Sequence, residues 1–139
     1  MRVKATLSAH VMILDRSADP RVLMARLAYR DHRKDKWSFP GGFVDEGETV
    51  EAGLCREVRE EVGVGLNAWQ LVGVEAALLL EQPHVAFLYL SREWQGEPYC
   101  LSHELVEVGW FDRRDFGRAQ SAGALAYPQM SGQVRHLGW

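Results

Sequence analysis

The stretch Gly42–Val64, GFVDEGETVEAGLCREVREEVGV, decides the fold, because it joins a glycine-bearing turn to a helix crowded with carboxylates. Glu48, Glu51, Glu57, Glu60 and Glu61 gather around Arg56. Like charges spaced three and four residues apart on a helix repel, so the cluster gains no stability from its own acids. It calls for a positive partner, and a divalent cation that prefers oxygen ligands is the natural one. At about 100° per residue, Glu57, Glu60 and Glu61 fall within an arc of roughly 100°. Leu54, Cys55, Val58 and Val62 occupy the adjoining face, which is apolar and fit to dock on a sheet. Thr49 is the expected N-cap, Glu51 sits in the first turn where the helix dipole favours an anion, and Gly63 is the expected left-handed terminator.

Outward from this segment the chain reads as strands. Val3, Ala5, Leu7, Ala9, Val11 and Ile13 alternate with polar residues, which predicts a strand over Val3–Leu14. Asp15–Pro20 is a turn, and Arg21–Ala28 is expected to be a second strand paired back on the first. A charged loop, Arg30–Lys36, leads into Trp37-Ser38-Phe39-Pro40-Gly41-Gly42. Downstream, Trp69–Leu80 and His84–Leu90 read as two strands joined around Glu81-Gln82-Pro83. Glu107–Phe111 is a short extended piece, and Asp112–Phe116 starts a short helix. A further helix near Pro128–His136 is weakened by glycines. Strands before and after one long helix predict an α/β domain: a mixed sheet with helices packed on it, spanning residues 1–139 as one unit.

Composition excludes several classes. The chain has 139 residues, 47% apolar and 25% charged, with a net charge of −3. That is an ordinary globular balance with no bulk attraction to nucleic acid or an anionic membrane. The longest apolar run, Ala76–Leu80, is far too short to span a bilayer. Cys55 and Cys100 lack metal-ligand spacing and read as reduced thiols, so a cytoplasmic location is expected.

Gly42, Glu48 and the run Arg56-Glu57-Val58-Arg59-Glu60-Glu61-Val62-Gly63-Val64 together resemble the complete Nudix box, G-x5-E-x7-R-E-U-x-E-E-x-G-U with U a bulky aliphatic residue. Nine constrained positions agree without departure, which makes the likeness specific. The box covers about a sixth of the chain, and the lead-in from Trp37 and the strand order are similar too. The resemblance implies a Nudix-type α/β/α sandwich with a loop-helix-loop. It also implies hydrolysis of a pyrophosphate bond in a nucleoside diphosphate linked to another group. By position it implies Glu57, Glu60 and Glu61 as ligands of Mg²⁺, with Mn²⁺ a substitute and the Gly42 carbonyl as a further ligand. Glu48 and Arg56 are then a supporting ion pair. Glu57 is the first candidate for general base and Glu104, on a loop before Trp110, the second. Glu107 is expected to be structural.

Arg26, Arg33 and Lys36 are candidate phosphate contacts, although Asp31 and Asp35 partly cancel the charge of their loop. The five histidines form no catalytic pairing with serine or cysteine. The expected partner is a small nucleotide, with no membrane and no nucleic-acid polymer; a homodimer is left open. The linked group is not fixed. A proline about fifteen residues after the box, typical of ADP-ribose enzymes, is replaced by Leu79 and Leu80, and the tyrosine of dinucleoside polyphosphate enzymes is absent nearby. The SQPWPFPxS motif of NADH pyrophosphatases is also missing. A nucleoside triphosphate or nucleotide sugar is left as the best expectation. Two rival readings are a non-catalytic nucleotide sensor and a prenyl diphosphate isomerase, the latter needing a reactive cysteine.

Overall fold

The computed structural model describes residues 1–139. Along the chain it runs β1 (Thr6–Ile13), β2 (Val22–Leu27), β3 (Trp37–Ser38), β4 (Gly41–Phe43), α1 (Val50–Val62), β5 (Gly65–Leu79), β6 (Gln82–Gln95), β7 (Leu105–Phe111), α2 (Arg113–Ser121), α3 (Met130–Gln133) and a closing 3-10 turn, Val134–Leu137. The strands form two sheets, one ordered β4-β1-β6-β5 and the other β3-β2-β7. The first is mixed: β1 runs parallel to β6 and antiparallel to β4. The second is wholly antiparallel.

Two sheets replace the single one expected, and β2 does not pair back on β1 as predicted. The hairpin begins, with Asp15 N–H donating to the Arg21 carbonyl at 3.0 Å and a lone bridge between Leu14 and Val22. It then diverges because β4 and β6 already hold both edges of β1. β2 pairs instead with β3 and β7.

β1 is covered on both faces, which makes it the middle layer of a sandwich. Ala9, Val11 and Ile13 pack with Leu54, Val58 and Val62 of α1. Met12 and Leu14 pack with Phe116 of α2, Met130 of α3 and Val134. Each side chain in these clusters is almost fully buried, so truncating Leu54 to Ala is expected to cost ~2–5 kcal/mol.

α1 has the boundaries its sequence signals demand. The Thr49 hydroxyl accepts from Ala52 N–H at 3.1 Å, and Gly63 closes the helix at φ 72°. α2 runs on to Ser121, beyond the short helix expected, and its start is secured by the reciprocal capping box of Asp112 and Asp115. The β5–β6 hairpin turns earlier than predicted, at Leu80 (φ 50°) and Glu81 (φ 67°). Both residues sit in the left-handed region that a tight two-residue hairpin turn requires. Pro83 therefore lies inside β6, opposite Leu78 and one residue before β6 meets β1 at His84, where no ladder bond from its nitrogen is needed.

Candidate active site

The site is assembled where β4 lies against α1. Gly41 has φ 147°, and a Cβ there would stand 2.1 Å from the Ala9 carbonyl oxygen, so only glycine fits. This close approach lets Gly41 N–H donate to the Glu61 carboxylate at 3.2 Å. A Cβ on Gly42 would meet the Glu57 carboxylate at 2.8 Å, so the Gly42 backbone lies flush against that side chain. The two glycines bring main chain and helix carboxylates into direct contact.

Arg56 is the hub of the loop. Its guanidinium donates to Glu48 through Nε at 3.0 Å and Nη2 at 2.7 Å, the bidentate pair expected from the sequence. Nη2 also donates to the Phe43 carbonyl at 3.1 Å, and Nη1 to Glu57 at 3.0 Å and Glu60 at 3.2 Å. Glu48 in turn accepts from Asp45 N–H at 2.6 Å. Hydrogen bonding to Arg56 holds the Glu48 carboxyl down at about 2, so it stays ionised and keeps the loop closed.

Glu57 and Glu61 sit in a different environment. Burial pushes Glu61 up to about 8; the Gly41 N–H opposes that shift, and the charges of Glu57 and Glu104 reinforce it. Burial raises Glu57 as well, against the pull of Arg56 and with the push of Glu60 and Glu104. Glu104 is thus within electrostatic reach of both. It gets there because the C-terminal end of α1 anchors its loop: Tyr99 N–H donates to the Val62 carbonyl at 3.1 Å and Leu101 N–H to that of Glu61 at 2.9 Å. Ala28 N–H then fixes the Glu104 carbonyl at 2.8 Å.

The donor set suits a hard divalent cation: glutamate carboxylates, backbone carbonyls, and no thiol or imidazole among them. No three acidic, histidine or cysteine side chains already converge on one point. Arg56 draws Glu57 and Glu60 toward itself, and Mg²⁺ needs only one or two carboxylates besides waters and substrate phosphates. Crowded, partly buried carboxylates with raised proton affinity are a site where added positive charge lowers the energy. The residues fit such an ion.

The candidate phosphate contacts are distributed less simply. Arg26 donates to Glu107 at 2.8 Å and to Asp35 at 3.1 Å, so it is paired with both carboxylates. Arg33 is engaged by Asp31, stacks 4.3 Å from the Tyr29 ring centroid and donates to the Tyr127 hydroxyl at 2.9 Å. Lys36 forms no ion pair, and only its backbone is tied down, to Arg33 and Leu27. His10 is half-buried beside Tyr127 and held neutral, its pKa pulled to about 4 by desolvation and by His84.

Sequence reasoning missed Tyr29, whose hydroxyl is pushed up to about 12 by burial and by the charges of Glu104 and Glu61. Its only sequence signal was its place at the head of the basic loop. Tyr127 was equally invisible, coming from a tail of weak pattern. Both thiols are free, and burial raises that of Cys55, which makes it a poor nucleophile. A separate cavity of about 230 Å³ lies between the β5–β6 sheet face and α3, with Glu75, Ala86, Leu88, Gln129 and Gln133 among its walls.

A family model described as NUDIX domain matches residues 4–130. The 8-oxo-dGTP diphosphatase of Escherichia coli (strain K12) is 30% identical over 84 residues, covering 60% of this chain and 65% of that protein. The 8-oxo-dGTP diphosphatase of Haemophilus influenzae is 46% identical over 92 residues, covering 63% of each. The chain therefore spans just under two thirds of the length of these relatives. The crystal structure of a MutT NUDIX hydrolase from Burkholderia pseudomallei superposes with a TM-score of 0.68 at 29% identity, over 78% of this chain and 84% of that one.

Proposed function

The chain belongs to the Nudix family, and on that footing we propose that it is a divalent-metal-dependent pyrophosphohydrolase acting on a nucleoside diphosphate linked to a further group, a nucleoside triphosphate before a nucleotide sugar. The observation that carries this reading is the packing of the Glu57 and Glu61 carboxylates against the glycine backbone of β4, where Gly41 N–H reaches Glu61 at 3.2 Å and no side chain fits between Gly42 and Glu57. A sensor that only binds nucleotide has no need of such a costly cluster. The isomerase alternative requires a reactive thiol, and the raised pKa of Cys55 speaks against it there.

Glu57, Glu60, Glu61 and the Gly42 carbonyl are the residues that would hold Mg²⁺, or Mn²⁺ in its place. Bound there, the ion would neutralise phosphate oxygens and acidify a coordinated water. The chain's own residues do the rest. Arg56 clamps Glu48 and the Phe43 carbonyl, fixing the loop, and holds Glu57 in place. Glu57 takes the proton of the attacking water, with Glu104 the second candidate for that role. Lys36, free of ion pairs, is the basic side chain best able to meet substrate phosphates; Arg26 and Arg33 must first give up their acidic partners.

The names of the two relatives make 8-oxo-dGTP the first substrate to try. The test is a panel of that compound, ordinary nucleoside triphosphates, ADP-ribose, a dinucleoside tetraphosphate and nucleotide sugars, with Mg²⁺ or Mn²⁺, reading phosphate against pyrophosphate release. Metal-dependent turnover of at least one supports the reading. Binding without turnover across the panel points to a sensor instead.

A further inference from the structure

The last carbonyl groups of a helix find no partner inside it and must be satisfied from elsewhere. For α1, two of them are taken by the strap Gly96–Glu104, which joins β6 to β7. Tyr99 N–H donates to the Val62 carbonyl and Leu101 N–H to the Glu61 carbonyl, at 3.1 and 2.9 Å. Gly63, besides closing the helix, is the seat on which the strap rests. A Cβ there would stand 2.9 Å from Cε1 of Tyr99 and 3.3 Å from Cδ1 of Leu101, so both side chains lie on bare backbone. Gly96, at φ 101°, lies against the same residue: a Cβ on it would meet the Gly63 carbonyl oxygen at 2.8 Å.

The strap is held by these seats and not by the core. Tyr99 is 54% exposed and Leu101 47% exposed, and no residue from Gly96 to Glu104 is buried. At its far end stands Glu104, with both backbone groups engaged. Its N–H donates to the Ser102 hydroxyl at 3.0 Å, and its carbonyl accepts from Ala28 N–H at 2.8 Å. The direction of its Cβ is thereby fixed, yet no ion pair engages its carboxylate, whereas Arg26 takes that of Glu107. The charge of Glu104 is felt by both Glu57 and Glu61.

We propose that Tyr99 and Leu101 are positioning residues for Glu104: seated on Gly63 and on the last carbonyls of α1, they hold the strap where the Glu104 carboxylate can exchange a proton with the attacking water. This role rests on the hydrolase reading above, with Glu104 acting in the reaction. The end of α1 then does two things, presenting Glu61 on its side chain and fixing the place of Glu104 through its main chain. A displacement of about 1 Å in a reacting group can cost as much as 10²-fold in rate, so a loosened strap should be felt in kcat.

A double-mutant cycle in steady-state kinetics, on the substrate turned over fastest and with saturating Mg²⁺, tests the proposal, with urea unfolding to check that each variant is folded. Tyr99→Ala is expected to lower kcat ~10-fold with KM unchanged. Tyr99→Phe is expected to keep the wild-type kcat, since ring carbons and not the hydroxyl rest on Gly63. Leu101→Ala serves as an independent second disruption, with a loss like that of Tyr99→Ala. In a Glu104→Gln background, Tyr99→Ala should change kcat by less than ~2-fold, the signature of one residue acting through another. Equal losses in the two backgrounds overturn the proposal, as does a wild-type kcat in both Tyr99→Ala and Leu101→Ala; the hydrolase reading survives either result. A normal kcat in Glu104→Gln also overturns it, because there is then no reacting group to position. A wild type that turns over no substrate sinks the hydrolase reading and this role together.

Discussion

The two edges of the four-stranded sheet are built from opposite materials. At one edge β4 is three residues long, is made of Gly41, Gly42 and Phe43, and is buttressed by α1 and the Arg56 network. At the other, β5 is fifteen residues long, apolar toward its tip and uncovered. The first edge has its polar groups accounted for by carboxylates and a guanidinium, so its composition answers to charge. The second has its outer row of backbone groups unpartnered and its apolar side chains exposed. The chemistry proposed for this sheet is confined to its first edge, and substitutions at the second should leave it intact.

The largest expected effect lies at the charged edge. Glu57→Gln or Glu61→Gln should lower kcat by at least ~100-fold in steady-state assays with saturating Mg²⁺. Ala76→Lys at the bare edge should leave kcat where it was. A large kcat loss in Ala76→Lys would mean the edges are coupled, and near-normal rates in both glutamine variants would remove the site assignment. Glu104→Gln should fall between these limits if Glu57 is the base, and should match Glu57→Gln if it is not.

Next come the glycine and arginine that hold β4 against the helix. Gly41→Ala must move a Cβ away from the Ala9 carbonyl and out of a left-handed conformation, and is expected to cost at least ~3 kcal/mol in denaturant unfolding. Arg56→Ala strips partners from Glu48, Glu57 and the Phe43 carbonyl and should cost ~1–3 kcal/mol as well as rate. An Arg56 variant of full stability but low kcat would show that the side chain acts on substrate instead of on the loop.

The pH response of the metal-free protein follows from Glu61. Its carboxyl titrates near 4.5 when unfolded and about 8 when folded, so between those values the native chain keeps a proton that the unfolded chain has released. Stability is therefore highest at the acid end of that window and is lost as pH rises, by up to ~1.4 kcal/mol per pH unit from this one group. Urea unfolding of chelator-treated protein across the window should show that slope, and Glu61→Gln should flatten it. Equal slopes in the two proteins would mean Glu61 is already ionised in the native state.

The smallest effect concerns the hairpin at the tip of the bare edge. Leu80→Asn with Glu81→Gly supplies residues that accept positive φ and should stabilise the fold by ~1 kcal/mol in thermal melts. No gain would indicate that the two residues occupy positive φ at little cost in this turn.

Much of the charged edge was legible because its determinants are local. Thr49, Gly63 and the spacing of Leu54, Val58 and Val62 specify α1, and helical winding alone brings Glu57, Glu60 and Glu61 to one face. The Arg56–Glu48 pair was equally readable, since the two residues are only 8 positions apart. Strand pairing was less so: the expected β1–β2 hairpin gave way to two sheets because competition for the edges of β1 came from residues more than thirty positions away. Arg26 shows the same limit, for its partner Glu107 is set opposite it by the β2–β7 register.

By itself, the sequence determined the helix, its caps, the acidic face and the family to which the chain belongs, because these rest on contacts within a few turns of one another. The tertiary structure alone decided that Glu104 and Tyr29 come within electrostatic reach of Glu61, that Gly41 lies too close to Ala9 for any side chain, and that β5 is left at an open edge. Those facts depend on which strands win each pairing site, a contest among distant segments that no local period encodes.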